Sequence, residues 1–286
     1  MVALLWLINF LFGSVIFFLL FNRISRAISE SMIAESLLKK FDYTFFFEFM
    51  TYHREAAGTI LSAALILMFF YLLISIFLYG GILSVLIQSG SSRRTEEGKE
   101  RFATIFFQGA GKYFGRFFRL SIYSLILWFI FIIFMSLVVL LFRVLTDHGT
   151  NEQLAFYLIL AEAAIVLFSV FLIKMILDYA RIKIVTEDSR FVFISLFKTI
   201  WFVLKNILKT LGLYYLLLLI GAVLWIIFWL LDWVNPSNSL FAILLAFIVS
   251  QLFIASRSWL KVAFQSAQLD FYGPYEPEKK PPIYYE

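Results

Sequence analysis

Leu120 to Phe142 reads LSIYSLILWFIFIIFMSLVVLLF, twenty-three residues without a single Asp, Glu, Lys or Arg. A helix rises about 1.5 Å per residue, so this run is long enough to cross the roughly 30 Å hydrocarbon core of a bilayer. Moving outward, the same signal recurs at Met1–Asn22, Ala56–Ser92, Thr210–Leu231 and Trp233–Ser256, and at Gln153–Ile173, where only Glu162 interrupts it. Six spans are therefore expected. Ala56–Ser92, at 37 residues, is too long for one crossing. The span is placed near Thr59–Tyr79, with Gly80-Gly81 expected to weaken or bend the helix where it leaves the core. The first run lacks a basic leader and a small-x-small cleavage pattern, so it reads as an uncleaved span rather than a signal peptide.

Composition agrees. Hydrophobic residues are 62% of the 286, charged residues 15%, and Phe, Tyr and Trp number 36, 14 and 7. Mean hydropathy is +0.91. Water cannot solvate that much apolar surface, so lipid must. Continuous apolar runs disfavour a β-barrel, whose strands alternate in polarity. The fold class expected is all-α: a polytopic membrane domain over residues 1–270, and a flexible Pro-rich cytoplasmic tail over 271–286.

Lys and Arg set the orientation. The second and fourth connections carry seven each and the tail four, whereas the third has only Arg143 and the fifth none. This alternation puts connections two and four, and both termini, in the cytoplasm. The first connection balances five basic against five acidic residues and decides little. Its aromatic segment near Asp42–Met50 is expected on the outer membrane surface or folded over the bundle.

Two connections read as amphipathic interfacial helices. At about 100° per residue, Arg101, Lys112, Arg116 and Arg119 form a stripe opposite Phe102, Phe106, Phe107, Tyr113, Phe114, Phe117 and Phe118. Gly109, Gly111 and Gly115 leave room for a break in that helix. In the fourth connection Lys198, Lys205 and Lys209 cluster on one side, and Phe193, Leu196, Phe197, Ile200, Trp201, Leu204 and Ile207 fill the other. An offset of 89 residues relates the two, Arg101-Phe102 to Arg190-Phe191 and Arg116 to Lys205. Either an internal repeat or the common need for basic flanks accounts for it. These bases either recognise anionic lipid headgroups or a partner membrane protein, or only anchor and orient the bundle.

Chemistry has few footholds. Glu162 lies about 15 Å from either end of its span, near the midplane. It reads as a proton or cation site of a small transporter, or as a neutral carboxyl hydrogen-bonded to Tyr123, Ser136, Tyr214, Ser250 or Gln251. Lys174, Asp178 and Arg181 share one helix face where span four meets the cytoplasm, either as an ion-pair staple or as a binding site. His53 and His148 show no ligand spacing, and Cys is absent. No P-loop, GxSxG elbow or paired-carboxylate motif occurs, so no catalytic residue, metal, cofactor or nucleic-acid partner is expected.

The stretches LLKKFDYTFFFEF (Leu37–Phe49), LYGGIL (Leu78–Leu83), FFQGAGKYFGRFFRL (Phe106–Leu120), DYARIKIV (Asp178–Val185) and SLFKTIWFVLKN resemble a bacterial multi-pass family. It is related to the membrane domain found beside glycerophosphoryl diester phosphodiesterase domains. The resemblance implies a six-helix module of the inner membrane without the catalytic domain, and it brings no catalytic residue across. The expected function is a non-enzymatic membrane module meeting lipids or partner proteins, with a Glu162 transporter as the alternative.

Overall fold

A computed structural model describes residues 1–28, 54–90, 100–147, 152–234 and 240–273, with Tyr43, Phe47, Thr51 and Tyr52 between the first two segments. Seven helices are found among them. They are α1 (Val2–Ile28), α2 (Arg54–Gly90), α3 (Glu100–Asp147), α4 (Glu152–Thr186), α5 (Val192–Lys205), α6 (Ile207–Val234) and α7 (Leu240–Tyr272). All but α5 contain a stretch long and apolar enough to cross a bilayer. The chain is an all-α polytopic membrane protein.

Two expectations need correction. The basic and aromatic segment Arg101–Arg119 is not a separate interfacial helix: it is the first part of α3, which runs unbroken for 48 residues. At 1.5 Å per residue that is about 72 Å, far more than a bilayer core requires. Its glycines do not break it: Gly109 lies against α2, and Phe106, Ala110, Tyr113 and Phe117 on the intervening turns are buried. Helix α2 runs through Gly80-Gly81 as one element. Finally, α7 extends through Phe271 and Tyr272, and Tyr272 is buried, so the expected tail boundary at 271 falls inside a packed helix. The tail beyond residue 273, the aromatic segment before span two apart from Tyr43 and Phe47, and His53, His148 and Glu96-Glu97 lie outside the described residues.

The contacts divide the chain into two compact units. In the first (Met1–Ser75 with Leu231–Trp259), α1 meets α2 at Tyr71. Tyr71 Oη donates to Asn9 Oδ1 at 2.9 Å, and the Tyr71 ring meets Phe12 edge-on.

The second unit (Ile76–Leu230 with Leu260–Glu286) holds the main core. Here α4 packs on α3 and α5, and α3 on α5. The core is confined to one end of these helices. Along α4, Phe156, Tyr157, Ile159, Leu160 and Leu167 are exposed, whereas Met175, Tyr179, Ala180, Ile182 and Ile184 are fully buried. Along α3, Phe106, Ala110, Tyr113, Phe117 and Leu120 are buried, and Leu125, Phe129, Ile132 and Leu137 are exposed. Apolar side chains that face no protein need lipid around them, so the outward halves suit the bilayer and the packed base sits at the basic end.

Close approach of α2 and α3 depends on small residues. A Cβ on Gly80 would stand 3.2 Å from the Gly109 carbonyl oxygen, and one on Gly109 would collide with the Ser84 side chain. Ser84 returns its hydroxyl to the Gly80 carbonyl at 2.8 Å, which satisfies it within the contact. Small residues at such a seam let backbones approach and gain dispersion contacts that lipid would otherwise supply.

Candidate functional site

The last three turns of α4 are the spine of a charged cluster. Asp178 Oδ1 accepts from Arg181 Nη1 at 2.7 Å, and Asp178 Oδ2 accepts from Tyr214 Oη of α6 at 2.6 Å. Both carboxylate oxygens are thus engaged. The Arg181 guanidinium stands 4.5 Å from the centroid of the Tyr79 ring of α2, and Lys261 Nζ of α7 stands 4.4 Å from the same centroid. Four helices of the second unit therefore bring two cations, one carboxylate and two tyrosines together. The attraction of each cation to the ring quadrupole helps hold it out of water.

Two further ion-pair groups lie towards the end of α4. Lys183 Nζ reaches Glu187 Oε1 at 2.9 Å and donates to Tyr272 Oη at 3.3 Å, while Tyr272 Oη donates to the same Glu187 oxygen at 3.1 Å. Helix α4 then stops in a tight C-terminal cap. Ser189 N–H bonds the Ile184 carbonyl and Asp188 takes φ 48, the left-handed position that glycine usually fills. Asp tolerates that conformation better than most residues. In return its carboxylate meets Arg116 at 2.6 Å and Lys112 at 3.0 Å, with the Tyr113 hydroxyl at 3.3 Å. Partial desolvation raises the Asp188 carboxyl, but the hydrogen bonds from Lys112 and Arg116 outweigh it and hold the group below the usual carboxylate range.

The structure sorts the sequence candidates. Asp178 and Arg181 come together, whereas Lys174 is exposed and outside the cluster. Lys112 and Arg116 direct their charge to Asp188. Arg119, Lys198, Lys205 and Lys209 are exposed and form no ion pair among the described residues. Arg101 is near the start of α3. Glu162 is half-buried on the lipid-facing part of α4 and forms no hydrogen bond or ion pair among the described residues. Of its expected partners, Tyr214 bonds Asp178, Ser136 the Ile133 carbonyl and Ser250 the Ala246 carbonyl, while Gln251 Oε1 is buried without a hydrogen-bond partner among the described residues.

Sequence reasoning missed Tyr79, Asp188 and the inner face of α7. Lys261, Gln265, Gln268 and Tyr272 follow at spacings of four, three and four, one polar stripe on a helix. That spacing was a readable signal, obscured because the apolar run was taken to end at Ser256. Gln265 and Gln268 are buried. Both amide atoms of Gln265, Gln268 Nε2 and the Tyr179 hydroxyl have no hydrogen-bond partner among the described residues. No cluster of three or more His, Asp or Glu positioned for a metal occurs among the described residues. No protein-family profile, characterised protein or solved structure matches the chain. What fold and site define is a class, a multi-pass α-helical membrane protein with a charged, polar base in its second unit.

Proposed function

We propose that this protein is a non-enzymatic module of the bacterial inner membrane, both termini cytoplasmic, whose basic end engages anionic lipid headgroups. The observation that carries the reading is α5. Its inner face (Val192, Ser195, Leu196, Thr199, Val203) is buried in the base. Its outer face presents Phe193, Phe197, Trp201 and Leu204, with Trp201 73% exposed and Lys198 and Lys205 alongside. An aromatic face flanked by lysines suits the depth where acyl chains meet headgroups. Each lysine there contributes about 1 kcal/mol of attraction to an anionic leaflet. The resemblance to the membrane domain beside glycerophosphoryl diester phosphodiesterases fits the same reading, as a module that meets lipid without hydrolysing it. Transport through Glu162 has less support, since that carboxyl forms no hydrogen bond or ion pair among the described residues.

Lipid analysis of bilayer discs excised around the full chain tests the proposal. Wild type should hold a higher share of anionic phospholipid than the bulk membrane, and the K198Q/K205Q/K209Q variant should hold a clearly smaller share than wild type. Enrichment that the triple substitution does not lower rejects it.

A further inference from the structure

The Arg181–Lys261 cluster is left with more positive charge than it neutralises. Asp178 has both oxygens committed, to Arg181 and to Tyr214. Lys261, partly buried, forms no ion pair among the described residues and stands only over Tyr79. A guanidinium has five N–H donors, and Asp178 takes one of Arg181's. One helical turn beyond Lys261, Gln265 is 7% exposed and leaves a donor and an acceptor unpartnered among the described residues. Buried polar atoms are nearly always satisfied, and leaving one unsatisfied costs about 1–3 kcal/mol. An uncompensated cation and an orphaned amide on one face of one helix, beside a guanidinium with free donors, call for the same kind of occupant.

We propose that Arg181, Lys261 and Gln265 form a site for one phosphate group, carried by an anionic phospholipid; this rests on the lipid-engaging reading above and names its specific site. A phosphate accepts from several directions at once, matching an arginine fork, an ammonium and an amide N–H. One negative charge neutralises the excess, whereas a zwitterionic headgroup would bring its own cation back to Lys261. Gln265 Oε1 needs a donor, which a hydroxylated headgroup supplies and a choline does not. The acyl chain has an apolar surface to lie along. Tyr214 lines it with Phe171, Leu211, Tyr215 and Leu218, so one residue joins the polar cluster to a lipid-facing wall. Arg181 precedes Glu187 by six residues, about 9 Å along α4, a depth that a headgroup reaches from the interface.

Native mass spectrometry of the delipidated full chain in an uncharged detergent tests the site, with phosphatidylglycerol, phosphatidylcholine and inorganic phosphate as probes. One phosphatidylglycerol per chain should bind saturably and more tightly than phosphatidylcholine. K261M should weaken it about tenfold or more, K261R should largely restore it, and K198Q/K205Q/K209Q should leave it unchanged. Q265L removes the orphaned amide without altering charge and should also weaken binding, so the site stays testable if K261M does not fold. Inorganic phosphate that saturates the site equally well, with the same K261M sensitivity, overturns the lipid as its source. Absence of saturable binding, or binding indifferent to both K261M and Q265L, overturns the site. Loss of binding only in the triple variant overturns it too, while leaving the α5 reading intact.

Discussion

At the scale of one residue, Asp188 combines a backbone cost with an electrostatic gain. A left-handed conformation costs a residue with a Cβ about 1–2 kcal/mol, less for Asp or Asn. Asp188 accepts that cost and places its carboxylate on Lys112 and Arg116. Asp188→Asn keeps the backbone tolerance and removes the charge. It should lower stability modestly, by under about 1 kcal/mol, since the carboxylate is half exposed and water screens the pair. Asp188→Ala loses the tolerance as well and should fall further. Thermal melting of the detergent-solubilised chain at neutral pH checks the order wild type, Asn, Ala. The pH dependence has a definite sign. Because the folded carboxyl titrates below its ordinary value of 3.8, its contribution is present in full above that value. It declines as pH falls through the lower folded value. The margin of wild type over Asp188→Asn should therefore stay flat from pH 8 to about pH 5 and shrink below pH 4. A margin that grows on acidification would contradict the pairing. None of this was readable from Glu187-Asp188-Ser189-Arg190, because the role of Asp188 depends on a left-handed turn and on bases 72 and 76 positions earlier.

At the scale of elements, the length of each apolar run made the spans legible, because bilayer thickness fixes it. The run alone does not say which half meets lipid and which half packs. That depends on where neighbouring helices come close, and glycine identity shows it only once the partner is known. Gly109, Gly111 and Gly115 looked alike as helix weakeners in α3, yet only Gly109 lies against α2. Gly109→Ala should lower the melting temperature, because overpacking a close contact costs about 1–3 kcal/mol. Pairing it with Ser84→Gly, which clears the colliding side chain, should recover most of the loss. Gly111→Ala and Gly115→Ala meet open space and should be neutral or stabilising, by up to about 1 kcal/mol. Equal effects at all three positions would sink the seam. The 89-residue offset shows the same limit. Its two copies diverge where Phe117 continues α3 and Asn206 interrupts the path from α5 to α6. Asn206 sits at φ −113, ψ 27, and its side-chain amide donates to the Phe202 carbonyl. A side chain that competes for backbone hydrogen bonds at one copy alone is enough to separate an interfacial helix from a span.

For the whole molecule, the charge that sequence reading counted by connection proves to be spent in two ways. Lys112, Arg116, Arg181 and Lys183 are drawn into ion pairs of the base. Arg119, Lys198, Lys205 and Lys209 stay outward, where a leaflet can meet them. Both groups gather at one end of the second unit, so the alternation that sets orientation also supplies the base with its cations. A single inversion would place all of them on the wrong side, and that makes topology the decisive measurement. The natural chain contains no Cys, so single-Cys variants need no background changes. Ser237→Cys, in the charge-free turn Asn235-Pro236-Ser237-Asn238, should react with a membrane-impermeant maleimide on intact spheroplasts. Arg190→Cys, exposed between α4 and α5, and Lys279→Cys, in the tail, should react only after permeabilisation. Labelling of Arg190→Cys on intact spheroplasts would reverse the orientation. It would also remove α5 from the leaflet whose anionic lipids the proposed function requires.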